Sequence, residues 1–182
     1  MIIRGEVAAK KPGEIITNYQ LPEITYHSST IDEQMEYNKY LYTPCYLWKE
    51  RSKPEIMFEN DINQHQAIKW WWKNGEKKKE YFGIKYQYQN NIHTFYPDYV
   101  LMTMNNTVIM AEVKDSKDRE GSTYTKAKAE AMQEFLRDYP GVIGGICIFR
   151  NGRWFINNKS SYEWDDTIND DWSDWEEFDQ LL

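Results

Sequence analysis

The stretch that decides the fold is Pro97-Asp98-Tyr99-Val100-Leu101-Met102-Thr103-Met104-Asn105-Asn106-Thr107-Val108-Ile109-Met110-Ala111-Glu112-Val113-Lys114. Most of it is apolar, and Asn105-Asn106 reads as a tight turn between two strands, 93–103 and 107–114. Three charged groups stand near its ends: Asp98, Glu112 and Lys114. A buried hairpin has no place for unpaired charge. Pro97 cannot donate a ladder hydrogen bond, so it marks a strand edge or bulge where Asp98 can turn aside. Glu112 and Lys114 are two apart in one strand and share a face. The spacing predicts two carboxylates and one ammonium converging at one end of the hairpin.

Upstream, Ser52 suits a helix cap and Pro54 a first helical turn. Phe58, Ile62 and Gln66 would share one face of that helix, with Glu55 and Glu59 one turn apart beside it. The period then changes: Ile68 to Lys73 reads as a short strand ending at Asn74-Gly75, and Trp70, Trp71 and Trp72 within it read as packing residues. Lys77, Lys78 and Lys79 follow in a solvated turn, where they could meet DNA phosphates. Residues 81–88 alternate as a strand, and Asn90-Asn91 marks a turn. The strands 81–88, 93–103 and 107–114 together predict an antiparallel meander. Downstream, Ser122 or Thr123 caps a helix whose apolar face carries Tyr124, Ala127, Ala131, Phe135 and Tyr139. After Pro140-Gly141, the apolar run 142–149 reads as a central strand covered on both faces. Asn151-Gly152 turns it into a return strand, Arg153 to Ile156. The order helix, three-strand meander, helix, strand, strand predicts an α/β fold, an α+β mixed sheet with flanking helices.

Three segments follow: an N-terminal arm or linker over 1–45, a core over 46–158 and an acidic, Trp-rich tail over 159–182. The net charge of −7 argues at first against nucleic acid. Yet residues 163–182 hold nine acids and no Lys or Arg; the remainder has 22 basic against 20 acidic residues, a balance of +2. Bulk charge therefore does not exclude a DNA partner. Cys45 and Cys147 show no metal-ligand spacing, which excludes a small disulfide scaffold or a zinc finger. No long apolar run predicts a membrane span, and the expected location is cytoplasmic.

Two carboxylates and an ammonium at one spot suit a hard divalent cation. Mg²⁺ takes one or two carboxylates plus waters and substrate phosphate, at about 2.0–2.1 Å. Asp98 and Glu112, with the Val113 carbonyl between Glu112 and Lys114, would supply the protein ligands. Lys114 would orient or deprotonate a water, or stabilise charge on the phosphate. That is an arrangement for phosphodiester hydrolysis.

Tyr96-Pro97-Asp98, thirteen residues, then Glu112-Val113-Lys114 resembles the signature of the PD-(D/E)xK nuclease superfamily. Together with Ser52 to Asp61, Ile68 to Asn74 and Lys126 to Gln133, it resembles the C-terminal endonuclease domain of type III restriction enzymes and related helicase-nucleases, over residues 44–157. The resemblance implies a restriction-endonuclease-like core and a Mg²⁺-dependent endonuclease acting on DNA, with Mn²⁺ able to substitute. It implies metal binding by Asp98 and Glu112 and a catalytic role for Lys114. It puts the first-helix acid on Glu55 or Glu59; Glu55, three residues before Phe58, fits better, as a catalytic and metal-binding group. It places Gln133 and Lys126 as auxiliary groups of the second helix, Gln133 catalytic and Lys126 on DNA. The implied partners are DNA, a helicase/ATPase domain or subunit, and a second copy on DNA. No Gly-x4-Gly-Lys-Ser/Thr loop occurs, so the chain carries no ATP motor of its own; it reads as a domain of a larger restriction system or as a stand-alone relative. Two rival readings stay open: a catalytically idle nuclease fold that binds DNA or protein, and a transposon-end or junction-type nuclease.

Overall fold

The computed structural model describes residues 17–18, 21–75, 82–116 and 122–182. The principal sheet has six strands. In chain order its members are β4 (Ile68–Lys73), β7 (Tyr99–Thr103), β8 (Val108–Lys114), β9 (Val142–Arg150), β10 (Arg153–Asn157) and β11 (Glu176–Glu177), and across the sheet they lie β11-β10-β9-β8-β7-β4. β4, β7 and β8 are antiparallel neighbours. β8 and β9 are parallel and joined through helix α2 (Ser122–Leu136), and β9–β10 is a hairpin at Asn151-Gly152. This is a mixed α/β fold.

The observed antiparallel trio differs from the expected one. Residues 93–103 are not one strand. They divide at Pro97-Asp98 into β6 (Asn91–Phe95) and β7. β6 pairs with β5 (Gly83–Tyr88) in a separate three-stranded sheet with β1 (Thr17–Asn18). The expected meander of 81–88, 93–103 and 107–114 is therefore corrected to β4-β7-β8, with β5–β6 inserted between β4 and β7. Proline lacks the amide hydrogen needed to continue a ladder, so the chain changes sheets there. The inserted hairpin packs on α2 through Phe82–Phe135, with ring centroids 5.4 Å apart, and through Tyr86–Tyr124 at 5.9 Å.

Helix α1 (Lys53–Gln64) starts as expected. Ser52 Oγ accepts from the Glu55 amide, and Glu55 Oε2 accepts from the Ser52 amide at 2.7 Å, a reciprocal cap. The buried face carries Phe58, Glu59 and Ile62; the helix ends before Gln66, which is exposed. Phe58 meets Tyr99, Trp154 and Phe178, with centroids 4.8–5.5 Å apart. Strand alternation then assigns the sheet's two faces. Trp71, Tyr99 and Ala111 lie on the α1 side, and Trp72, Val100, Met110 and Glu112 on the α2 side. Trp71 and Trp72 are fully buried, as packing residues should be.

Described residues of both end segments also join the core. β2 (Asp32–Met35) and β3 (Cys45–Trp48) form a small antiparallel sheet, and Tyr40 bridges to Trp71. Tyr40 and Cys45, from the segment read as an arm, and Leu47 just after it are buried with the sheet residues. At the other end, Tyr162, Trp164 and Trp175 pack on Ile146, Ile148 and Ala129, beside the short helix α3 (Asp165–Ile168). β11 extends the sheet, and the closing 3₁₀ turn Phe178–Leu181 brings Phe178 onto Phe58. The tail is docked. Among the described residues no helix is long and apolar enough to cross a membrane.

β9 carries Gly144-Gly145 where it lies between β8 and β10. A Cβ at 144 would collide with the Met110 carbonyl, and one at 145 with the Asn157 carbonyl. Only glycine lets both neighbours approach. Gly145→Ala is expected to destabilise the fold by about 1–3 kcal/mol or more through overpacking, read as a lowered urea midpoint.

Candidate functional site

The site lies where β4 and β8 end and β7 begins. The Asp98 carbonyl accepts from the Asn74 amide at 2.8 Å, the last backbone link between these strand ends. Beyond Tyr99↔Ala111 the β7–β8 ladder stops, and the Asp98 side chain takes over: Oδ2 accepts from the Val113 amide at 2.8 Å. This fixes the Val113 peptide and the Asp98 carboxylate against one another. Glu112 is 2% exposed, and its Oε1 lies 2.6 Å from Lys114 Nζ and 3.4 Å from Lys128 Nζ. Its other oxygen, Oε2, is buried without a hydrogen-bond partner among the described residues. Asp98, Glu112 and Lys114 are thus gathered as the spacing predicted.

The two carboxylates of the strand ends act on one another as well as on the lysines. Burial, and then the charge on Glu112, push the Asp98 carboxyl up to about 7, against Lys73 and Lys114. Burial works to lower the Lys114 ammonium, but Glu112 and Asp98 reverse it and leave Lys114 raised. Lys114 therefore holds its proton firmly.

The two helix acids separate cleanly. Glu59 is fully buried: Arg51 Nε donates to Oε2 at 3.0 Å and Tyr99 Oη to Oε1 at 3.0 Å. Burial still raises its carboxyl, despite Lys73 and Arg51. It is a core group. Glu55 faces a cleft that Asp98 also lines, and Lys73 Nζ lies 2.5 Å from its Oε1. Burial opposes ionisation of Glu55, but Lys73 and the Ser52 cap outweigh it and hold the carboxyl low.

The remaining expected residues lie apart. Gln133 Nε2 donates to the Gly144 carbonyl at 2.7 Å, tying α2 to β9. Lys126 Nζ contacts the Tyr162 carbonyl at 2.8 Å, Glu163 at 2.7 Å and Glu130 at 3.1 Å, against the docked tail. Lys77, Lys78 and Lys79 lie outside the described residues. In place of Gln133 and Lys126, α2 brings Lys128, whose Nζ stands 4.7 Å from the Tyr124 ring centre. β4 brings Lys73, 3.1 Å from Tyr99 Oη and 4.3 Å from its ring centre. Neither was singled out in the sequence. Lys73 closes a strand just before Asn74-Gly75, as Lys114 closes β8, and Lys128 stands four residues after Tyr124, at the edge of the helix's apolar stripe.

Among the described residues no three acids, histidines or cysteines converge tightly enough to hold a metal between them. Asp98 and Glu112 lie close enough for the charge of one to act on the other. A Mg²⁺ that keeps several waters would need little more than two carboxylates from the protein, and Glu112 Oε2, without a hydrogen-bond partner among the described residues, would be available as one ligand.

These features define a mixed α/β domain with an acidic pair and three lysines at one sheet end. The family model described as the YagJ family matches residues 48–158, which is 111 of the 182 residues, and the chain belongs to the YagJ family. The matched span begins in β3, ends just past β10 and contains every residue of the site. No curated protein and no solved structure matches the chain.

A carboxyl raised on folding stabilises the fold fully below its unfolded value of about 4, and that contribution is lost as pH rises through the folded value. For Asp98, with a folded value of about 7, urea midpoints in EDTA are expected to fall from about pH 4 to about pH 8. Asp98→Asn is expected to flatten that fall. Thermal melts separate the helix acids. Glu59→Ala takes from the buried Arg51 its one fully buried acidic partner, leaving it the half-exposed Glu33, and is expected to cost about 3 kcal/mol, whereas Glu55→Gln weakens a cap and is expected to cost about 1 kcal/mol.

Proposed function

We propose that this chain is a Mg²⁺-dependent endodeoxyribonuclease with a restriction-endonuclease-like core of the PD-(D/E)xK kind, hydrolysing DNA phosphodiester bonds. One observation carries the reading: Glu112, buried beside Lys114 and Lys128, keeps one carboxylate oxygen without a partner among the described residues, at the place where Asp98 closes the strand. The order of α1, the antiparallel trio β4-β7-β8, α2 and the parallel strand β9 supports the fold assignment, with β5–β6 as an insertion.

Asp98 and Glu112 would hold the cation, with the Val113 peptide beside them. When bound, the cation neutralises phosphate charge and makes water a better nucleophile at neutral pH. Lys114 stays protonated beside its two carboxylates. Its task is therefore to donate: it orients the attacking water and stabilises charge on the phosphate, and it does not take up the proton. Lys128 adds a second positive charge on the α2 side, and Glu55, held by Lys73, closes the α1 side. One such site cuts one strand. A double-strand break then requires a second copy on DNA, or a helicase/ATPase partner of a restriction system that brings two sites together.

The closed Glu112–Lys114 pair and the lack of a three-acid cluster among the described residues favour a second reading, an idle nuclease fold that binds DNA or protein. Plasmid and linear DNA incubated with Mg²⁺, Mn²⁺ or EDTA decide between them. Metal-dependent cutting is expected, with Asp98→Ala, Glu112→Gln and Lys114→Ala each slower by about 100-fold or more. Binding without cutting by the wild type would favour the idle fold, and equal cutting by the three variants would sink the site.

A further inference from the structure

Glu55 and Asp98 form one end of a cleft of about 390 Å³ whose far wall is the β2–β3 sheet and the segment before it. Rings dominate its lining: Tyr26, Tyr46, Trp48, Trp72 and Tyr96, with Asp32 among them. Trp72 is buried and belongs to the core, but Tyr26 and Trp48 are 67% and 47% exposed. Two large rings left facing water along a cleft that reaches Glu55 and Asp98 call for a flat, partly apolar ligand.

We propose that this cleft seats a base of an unpaired DNA strand next to the phosphate being cut, so that the substrate is single-stranded, flapped or frayed DNA. The phosphate half of this proposal rests on the nuclease reading; the base half rests on the cleft. A nucleobase stacks on aromatic faces whatever its identity. The volume lies at the small end of ligand pockets, about 300–1,000 Å³, which suits one nucleotide. A base within a duplex is paired and stacked, and enters a walled cleft only if it is flipped out. Charge sorts the ligand's two halves. Asp32, on the far wall, repels a phosphate but not a neutral base, and its carboxylate accepts from an exocyclic amino group. Lys73, the lysine that lines the cleft, stands at the Glu55 end, where the backbone would pass.

The test is a titration of the full chain into a single-stranded DNA oligomer carrying one 2-aminopurine, and into the same sequence as duplex, in Mg²⁺ and in EDTA. Stacking is expected to quench the aminopurine of the single strand. Trp48→Ala is expected to raise Kd about tenfold and Trp48→Phe to restore it, with both variants melting at the wild-type temperature because Trp48 is at the surface. Affinity that is indifferent to Trp48→Ala and Tyr26→Ala, or equal for duplex and single strand, would overturn the proposal. Cutting is scored separately. Quenching that depends on Trp48 without any cutting supports the base cleft and sinks only the hydrolysis. Cutting confined to duplex, with no Trp48-dependent quenching, does the reverse.

Discussion

Everything at the end of the sheet depends on one hydrogen bond, from the Val113 amide to the Asp98 carboxylate. The β7–β8 ladder runs out at Tyr99, because Pro97 has no amide hydrogen to carry it further. A strand that simply ended there would leave the Val113 donor open. The Asp98 side chain fills that position in place of a backbone carbonyl. A charged group is thereby drawn to the end of a buried sheet, next to Glu112, in surroundings that penalise its charge.

The rest of the site compensates for that crowding. Lys114 and Lys128 lie against Glu112 on the α2 side, and Lys73 lies against Glu55 on the α1 side. The compensation is incomplete, since Glu112 keeps an oxygen without a partner among the described residues and Asp98 is held well above the ordinary carboxylate range. A fold selected for stability alone would place apolar side chains there, because isolated buried charge is costly. The core can bear the cost: a nearly continuous aromatic layer of Trp71, Tyr99, Phe58 and Trp154 lies beneath the site. Glu59 shows the contrasting solution. It is as deeply buried as Glu112, but Arg51 and Tyr99 occupy both of its oxygens, so it is structural.

The two helix acids mark how far sequence reasoning reached. They lie one turn apart, and their partners, Arg51 and Tyr99 for Glu59 and Lys73 for Glu55, assign one to the core and the other to the cleft. Glu112 and Lys114 were legible because a strand has period two. Lys73 and Lys128 were not, since a lysine at a strand end or at the edge of a helix stripe reads as a solvated residue until its neighbours are known. Gln133 and Lys126 came from resemblance alone; their partners lie on β9 and in the tail.

By itself the sequence determined the local elements: the Ser52 cap, the turns at Asn105-Asn106 and Asn151-Gly152, the apolar strand after Pro140-Gly141, and the shared face of Glu112 and Lys114. Each follows from backbone preferences and periodicity within a few residues. Only the tertiary structure decided that 93–103 divides between two sheets, that β4 and not 81–88 is the third antiparallel neighbour, and that Tyr40, Cys45 and the rings of the tail pack on the core. Those outcomes depend on which strand edges find partners and which rings find cover. Such choices join residues tens of positions apart, and no local pattern encodes them. Asp98 belongs to both levels: Pro97 announced a break in the strand, and the unpaired Val113 amide across the sheet decided what filled it.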